Sequence, residues 1–179
     1  MTDRTFNERL ILSLIRQYSA LPKADLARIT GLLPTTVGCV IERLEVDHLV
    51  RRGKPRRGRV GQPSVPYMLD HDGAFAFGLN VGRRSSELVL LDAILETKSR
   101  VELTYSFPVP KQIEEFATSH LRRVLSRSGK ANRLAGLGVA MSSEMWSWGE
   151  VMGAPIQDLL DWRDYDFVKA IGGLLEVPI

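Results

Sequence analysis

Two groups of residues have types and spacings suited to chemistry, and both suit binding of a polyanion. Residues 51–61 read Arg-Arg-Gly-Lys-Pro-Arg-Arg-Gly-Arg-Val-Gly, six positive charges with no negative one and three glycines. Arginine guanidinium groups pair with phosphates in fork geometry, and glycine lets backbone approach a groove without steric cost. A short distance upstream, Thr35, Thr36, Cys39 and Arg43 recur at helical spacing, so one helix face carries two hydroxyls, a thiol and a cation. No His or Cys pair has metal-ligand or catalytic spacing: His48, His71 and His120 are scattered, and Cys39 is the only cysteine. A disulfide within the chain and a structural zinc site are thereby excluded, and no cofactor is expected. Only Arg43 is positioned to lower the pKa of Cys39, which is expected to be inert.

Charge is distributed unevenly along the 179 residues. Residues 1–66 hold twelve Lys/Arg against six Asp/Glu, and residues 67–179 hold twelve against fifteen. The front is therefore +6 and the rest −3, within a net charge of +3, an asymmetry that suits an amino-terminal part meeting a polyanion. No apolar run approaches the roughly 20 residues that span a bilayer, and Met1-Thr2-Asp3-Arg4 lacks the order of a signal peptide, so a cytoplasmic location is expected.

The elements that must position these groups follow from periodicity. Phe6, Leu10, Ile11, Leu14, Ile15 and Tyr18 share one face of a helix over about 5–19. Pro22 suits the first turn of a second helix to about residue 30, with Leu26 and Ile29 inward and Gly31 as a left-handed stop. Pro34 opens a third, in which Val37, Val40, Ile41 and Leu44 form the buried stripe and Thr35, Thr36, Gly38, Cys39, Glu42 and Arg43 face out. Two helices joined by a tight Gly-containing turn after a longer packing helix have the layout of a helix-turn-helix; a plain three-helix bundle is the alternative on the helices alone. Leu49-Val50 and Val65 to Leu69 can pair as strands, which makes the basic segment the tip of a hairpin, a wing. In this arrangement Thr35, Thr36, Cys39 and Arg43 read bases, while Arg51, Arg52, Lys54, Arg56, Arg57 and Arg59 meet phosphate or an adjacent minor groove.

From Ala74 the pattern turns to strands, near 75–81, 87–92 and 99–105. A helix over about 113–126, a strand over 134–141, a Trp- and Gly-containing loop over about 142–163 and a short helix over about 165–175 complete it. This order predicts a mixed sheet with helices. Trp146, Trp148 and Trp162 either line a ligand cleft or pack, and the acidic residues at 158, 161, 164 and 166 read as a solvated face.

With these residues in view the chain resembles the ROK family of repressors and sugar kinases, and its repressor branch in particular. The resemblance rests on Ala24 to Leu32, Pro34-Thr35-Thr36-Val37, Leu44 to Val50, and the wing Gly58-Arg59-Val60-Gly61-Gln62-Pro63. It continues in Phe77 to Gly82, Leu90-Leu91-Asp92, Gly136 to Val139, and Ala154-Pro155 followed by Trp162. It implies an α+β chain: a winged helix-turn-helix over 1–70, with Gln62 among the DNA-contacting residues, then over 71–179 an incomplete actin-like ATPase (ribonuclease H-like) lobe with a mixed sheet. The implied function is sequence-specific binding of operator DNA as a homo-oligomeric repressor of sugar genes, with a sugar or sugar-phosphate effector in a complete form. Ser142 and Ser143 stand where the family has a Pro-Gly turn near the sugar. The kinase branch has Asp-x-Gly-Gly-Thr where this chain has Asn80-Val81-Gly82-Arg83-Arg84, and its catalytic aspartate and Cys-rich zinc site lie beyond the residues present, so no catalytic residue is assigned. A sugar kinase and a decayed copy of the regulator are the competing functions. Leu33 where a Ser N-cap is common, Gly38 where a hydroxyl is common, and His48 where Gly closes the helix are departures that weaken the module. A sheet lacking the rest of its domain is expected to leave an edge or face uncovered and to associate.

Overall fold

The structure is a computed structural model describing residues 4–55, 64–128, 131–149, 153, 155–173, 175 and 177–179. The chain forms two compact units, one of residues 1–74 with 92–95 and the other of residues 75–91 with 96–179.

In the first unit, helix α1 (Phe6–Tyr18) opens on a capping box: the Thr5 hydroxyl accepts from Glu8 N–H and the Glu8 carboxylate from Thr5 N–H. These bonds satisfy two donors left over at the helix start and explain why the charged Glu8 is buried. Strand β1 (Leu21–Pro22) leads into α2 (Lys23–Thr30), and α3 (Pro34–Val46) follows. Strands β2 (Val50–Arg52) and β3 (Pro66–Leu69) are antiparallel, with Val50 opposite Leu69 and Arg52 opposite Tyr67. β3 also pairs with β1, giving a three-stranded sheet in the order β1-β3-β2. Ile11 and Ile15 of α1, Leu26 of α2, the four-residue stripe of α3 and Val50, Tyr67 and Leu69 of the sheet form one core.

The expected inward set of this unit needs three corrections. Phe6, Tyr18 and Ile29 are 72%, 52% and 43% exposed. Phe6 and Tyr18 are the end residues of α1, beyond the reach of the sheet and helices that cover Ile11 and Ile15. An eight-residue α2 has one fully buried position, Leu26, and Ile29 lies outside it. Pro22 also sits just before α2 as its N-cap residue, because β1 pairs it with Pro66.

The second unit is a mixed four-stranded sheet in the order β6-β5-β4-β7, built from β4 (Phe75–Val81), β5 (Ser85–Asp92), β6 (Thr97–Thr104) and β7 (Leu134–Met141). β4 and β7 are parallel, β5 and β6 antiparallel. Phe75, Phe77, Leu79 and Val81 of β4 with Leu88 and Leu90 of β5 face Ile113, Phe116, Ala117 and Leu121 of α4 (Pro110–Ser128). α4 begins at Pro110, ahead of the expected start, since proline is suited to a first helical position. The expected loop over 142–163 contains 3-10 turns at Met145–Trp148 and Asp161–Arg163 and a short helix α5 (Ile156–Leu160), and α6 spans Phe167–Gly172. The opposite sheet face carries Gly78, Asn80, Glu87, Val89, Gly138 and Ala140 around an open hollow of about 400 Å³. β6 carries Lys98, Arg100 and Glu102, whereas β7 has no charged residue and is covered only at Leu137, whose N–H donates to Pro178 carbonyl at 3.0 Å among the described residues, so only β6 has the charged guard that keeps sheet edges apart.

Leu33 holds the N-cap of α3 in extended backbone with no side-chain cap, Gly38 has nothing within 4 Å of where a Cβ would stand, and His48 has φ 58°. In thermal or urea unfolding, Leu33→Ser is expected to stabilise by about 0.5–2 kcal/mol and Gly38→Ala by about 1 kcal/mol. His48→Gly should gain up to about 1 kcal/mol where His48→Val loses stability. Light scattering should show self-association of the chain, reduced when Ala140→Lys places a charge on β7.

Candidate nucleic-acid interface

The outward face of α3 is set by what precedes it. Gly31 adopts φ 72° and donates its N–H to Ala27 carbonyl at 2.9 Å, a left-handed stop that a residue with a Cβ adopts only under strain. Leu32 N–H then bonds the Thr30 hydroxyl at 3.3 Å, and the chain turns so that α2 and α3 meet at 120°. With Val37, Val40, Ile41 and Leu44 buried, Thr35, Cys39 and Arg43 are exposed and Thr36 is half-buried. Cys39 and Arg43 line an open groove of about 660 Å³ with Arg4, Glu42, Val46 and Asp47.

The cations near this face differ in their engagements. The Arg52 guanidinium forks onto Glu45 at 2.7 and 3.1 Å, and that hydrogen bond, ahead of the nearby Tyr67 oxygen and the Glu45 charge, holds its pKa above the ordinary arginine value. Lys23 lies 3.6 Å from Glu42, and Arg28 pairs with Asp25 at 2.8 Å. Arg43, Arg51 and Lys54 are exposed and, among the described residues, have no carboxylate partner. Gly53 N–H donates to Pro66 carbonyl at 2.7 Å, extending the β2–β3 pairing, and a Cβ there would come 3.0 Å from Met68 Cε. Arg56, Arg57, Arg59 and Gln62 of the expected wing lie outside the described residues.

In the second unit, Ser142 and Ser143 follow β7, are exposed and line a pocket of about 310 Å³ with Met145, Trp146, Trp162, Tyr165 and Asp166. The three tryptophans separate. Trp162 is buried, donates its indole N–H to Pro108 carbonyl at 2.7 Å and meets Tyr165 edge-on, so it packs. Trp146 is half-buried at the pocket, and Trp148 lies under Arg83. Burial, then the hydrogen bond to Glu114, pushes the Tyr165 phenol, a neutral donor at physiological pH already, up to about 12. Tyr165 and Asp166 were not anticipated from sequence as neighbours of the serines; the only signal was their position in the aromatic stretch between Trp162 and Phe167.

If α3 has this rotation, Cys39 of the folded chain should react with a disulfide reagent at a rate comparable to that of the urea-unfolded chain. Strong protection on folding would mean a different face is outward.

Among the described residues no single helix is long and apolar enough to cross a membrane. The chain matches no protein-family model and no curated protein. Among solved structures it is similar to one described as a ROK family transcriptional regulator, homolog of the E. coli MLC protein, with 16% identity and a TM-score of 0.53 over 74% of this chain. The chain spans 34% of that protein's length, and the likeness is one of fold.

Proposed function

We propose that this chain is a DNA-binding transcription regulator of the ROK type, with a winged helix-turn-helix over 1–70 and the opening part of an actin-like, sugar-kinase-like lobe over 71–179. The observation that carries the proposal is α3 itself. It follows a short helix at 120° across a left-handed glycine, presents Thr35, Cys39 and Arg43 to solvent, and is followed at once by a hairpin whose strand brings Arg51 and Arg52 to the surface. Two helices at roughly 90–120° with the second exposed are the arrangement that enters a major groove. The fold neighbour is described as a regulator of the family the sequence resembles, which supports the same reading.

In this mechanism the amino end of α3 meets phosphate through its free N–H groups, and Thr35, Thr36, Cys39 and Arg43 reach base edges. Arg51, Lys54, Arg56, Arg57 and Arg59, with Gln62, contact phosphates or an adjacent minor groove. Arg52 contributes by exchanging Glu45 for a phosphate oxygen, an exchange between two charge-assisted forks. The regulator acts in the cytoplasm as a homo-oligomer, represses genes of sugar metabolism, and responds to a sugar or sugar phosphate near Ser142 and Ser143. Phosphoryl transfer is disfavoured, because Arg83 and Arg84 occupy the turn where an ATP-binding relative needs small residues close to phosphate.

Selection from a randomised duplex pool is expected to return a defined sequence. On that sequence, Arg56→Ala and Arg59→Ala should each lower the magnitude of the log K against log salt slope by about 0.9. Arg43→Ala should relax preference at particular base pairs with a smaller change in slope. No enrichment from the pool, together with ATP turnover on a hexose, would replace this function with the kinase.

A further inference from the structure

The first unit has a second concave feature, which shares no lining residue with the groove on α3. The end of α1, strand β3 and the turn after β5 border an open pocket of about 440 Å³, and all of its lining residues belong to the unit of residues 1–74 with 92–95. Its walls are apolar: Ile15 and Leu69 are buried, Met68 is half-buried, and Ile94 is 36% exposed. Apolar walls with a few polar groups at fixed positions are the makeup of a small-molecule site, and such sites have volumes of roughly 300–1,000 Å³.

Backbone bonds hold the rim in place. α1 ends at Ser19 with φ 64° and ψ −36°, and Ala20 N–H donates to Tyr18 carbonyl across it at 2.7 Å. This is a γ-turn of the rare, strained kind, adopted by a residue that has a Cβ. On the other side, Ala93 N–H donates to His71 carbonyl at 3.4 Å, Ile94 N–H to the Asp92 carboxylate at 3.0 Å, and Leu95 N–H to Asp92 carbonyl at 2.9 Å, so Ile94 stands on a tied turn. Arg16, Ser19 and His71 supply the polar side chains of the lining, and they are not equivalent. His71 Nδ1 lies 3.6 Å from the fully buried Asp92 carboxylate, so positive charge on the imidazole is already matched. Arg16 is exposed and has no carboxylate partner among the described residues. The pocket thus offers one unmatched cation beside apolar walls. A single negative charge answers it, whereas a second would add repulsion from Asp92 with no further cation to balance it.

We propose that this pocket binds a small apolar monoanion, a medium-chain or aromatic carboxylate. The hydrocarbon part packs against Ile15, Met68, Leu69 and Ile94, and the carboxylate takes a fork from Arg16 and accepts from the Ser19 hydroxyl. The site belongs to the amino-terminal unit, is distinct from the pocket at Ser142 and Ser143, and stands whether or not the chain reads DNA.

The test is methyl NMR of the full chain with labelled isoleucine and methionine. It is titrated at constant ionic strength with octanoate, octanol, octylamine and octyl phosphate, at a pH where octyl phosphate is a dianion. Octanoate is expected to shift the Ile15, Ile94 and Met68 methyls saturably and to leave those of Ile113 and Ile171, in the core of the second unit, in place. It should bind about fivefold more tightly than octanol or octyl phosphate and about tenfold more tightly than octylamine. Arg16→Gln should bring octanoate down to the affinity of octanol and leave octanol unchanged, while Arg16→Lys should keep part of the difference. Arg16 is exposed on the helix surface, so the free variant should keep the parent methyl spectrum, which verifies its fold. Ile94→Asp, on an exposed turn, should weaken octanoate and octanol alike. No saturable shift at the three methyls, equal affinity for octanoate and octanol, or tighter binding of octyl phosphate overturns the site. So does movement of the same methyls with protein concentration alone, which would make this face an interface between copies of the chain.

Discussion

The burial of Val37, Val40, Ile41 and Leu44 is the constraint on which the candidate interface depends. At 100° per residue, seating these four side chains against α1 and the small sheet fixes the rotation of α3 about its own axis. Every other property of the outer face follows from that setting. Thr35, Cys39 and Arg43 point outward because the inner arc is filled, not because anything on the outer side holds them. Direction along the axis is fixed separately, by Pro34 at the first helical position and by the left-handed Gly31 before it. A core interaction and a backbone constraint thus aim a surface whose own residues make few contacts.

This division explains what could be read in the sequence. The three helices, the hairpin after them and the four strands of the second unit were legible because each carries a strong periodic apolar pattern or a proline or glycine at its boundary. β1 was not, since two residues have no period and its pairing with Pro66 and Tyr67 is made only when the chain returns. Phe6, Tyr18 and Ile29 were misread because periodicity reports a face and cannot report where the covering surface stops. In the candidate site, the type and spacing of Thr35, Cys39 and Arg43 sufficed to place them on one exposed face. The difference between Arg52, held by Glu45, and Arg43, which is not, required three dimensions, because residues seven apart on a helix and a strand have no fixed relation in sequence.

The second unit reuses the same logic with different polarity. Its sheet has one face of large apolar side chains under α4 and one that carries Gly78, Asn80, Glu87, Val89, Gly138 and Ala140. The turns at its carboxyl end carry the functional interest, as connecting segments on a rigid scaffold commonly do. Tyr105 is the residue that makes this end rigid: from the strand end it reaches across to bond Gly82 and Ser86. A phenol is a neutral donor throughout the physiological pH range in any case, and burial raises the pKa of this half-buried one further.

The parallel pairing of β4 with β7 also orders events during synthesis. The last strand of the first unit's sheet is synthesised by Leu69, and its β2–β3 pairing joins segments close in sequence, which form early. β4 has no such neighbour for β7, which emerges only after β5, β6 and α4. Phe77 and Leu79 wait through that interval with β5 and then α4 beside them and the β7 side of β4 unpaired. The amino-terminal unit therefore completes its core while the second still lacks β7, and a nascent chain presents the outer face of α3 before the β4–β7 pair has formed.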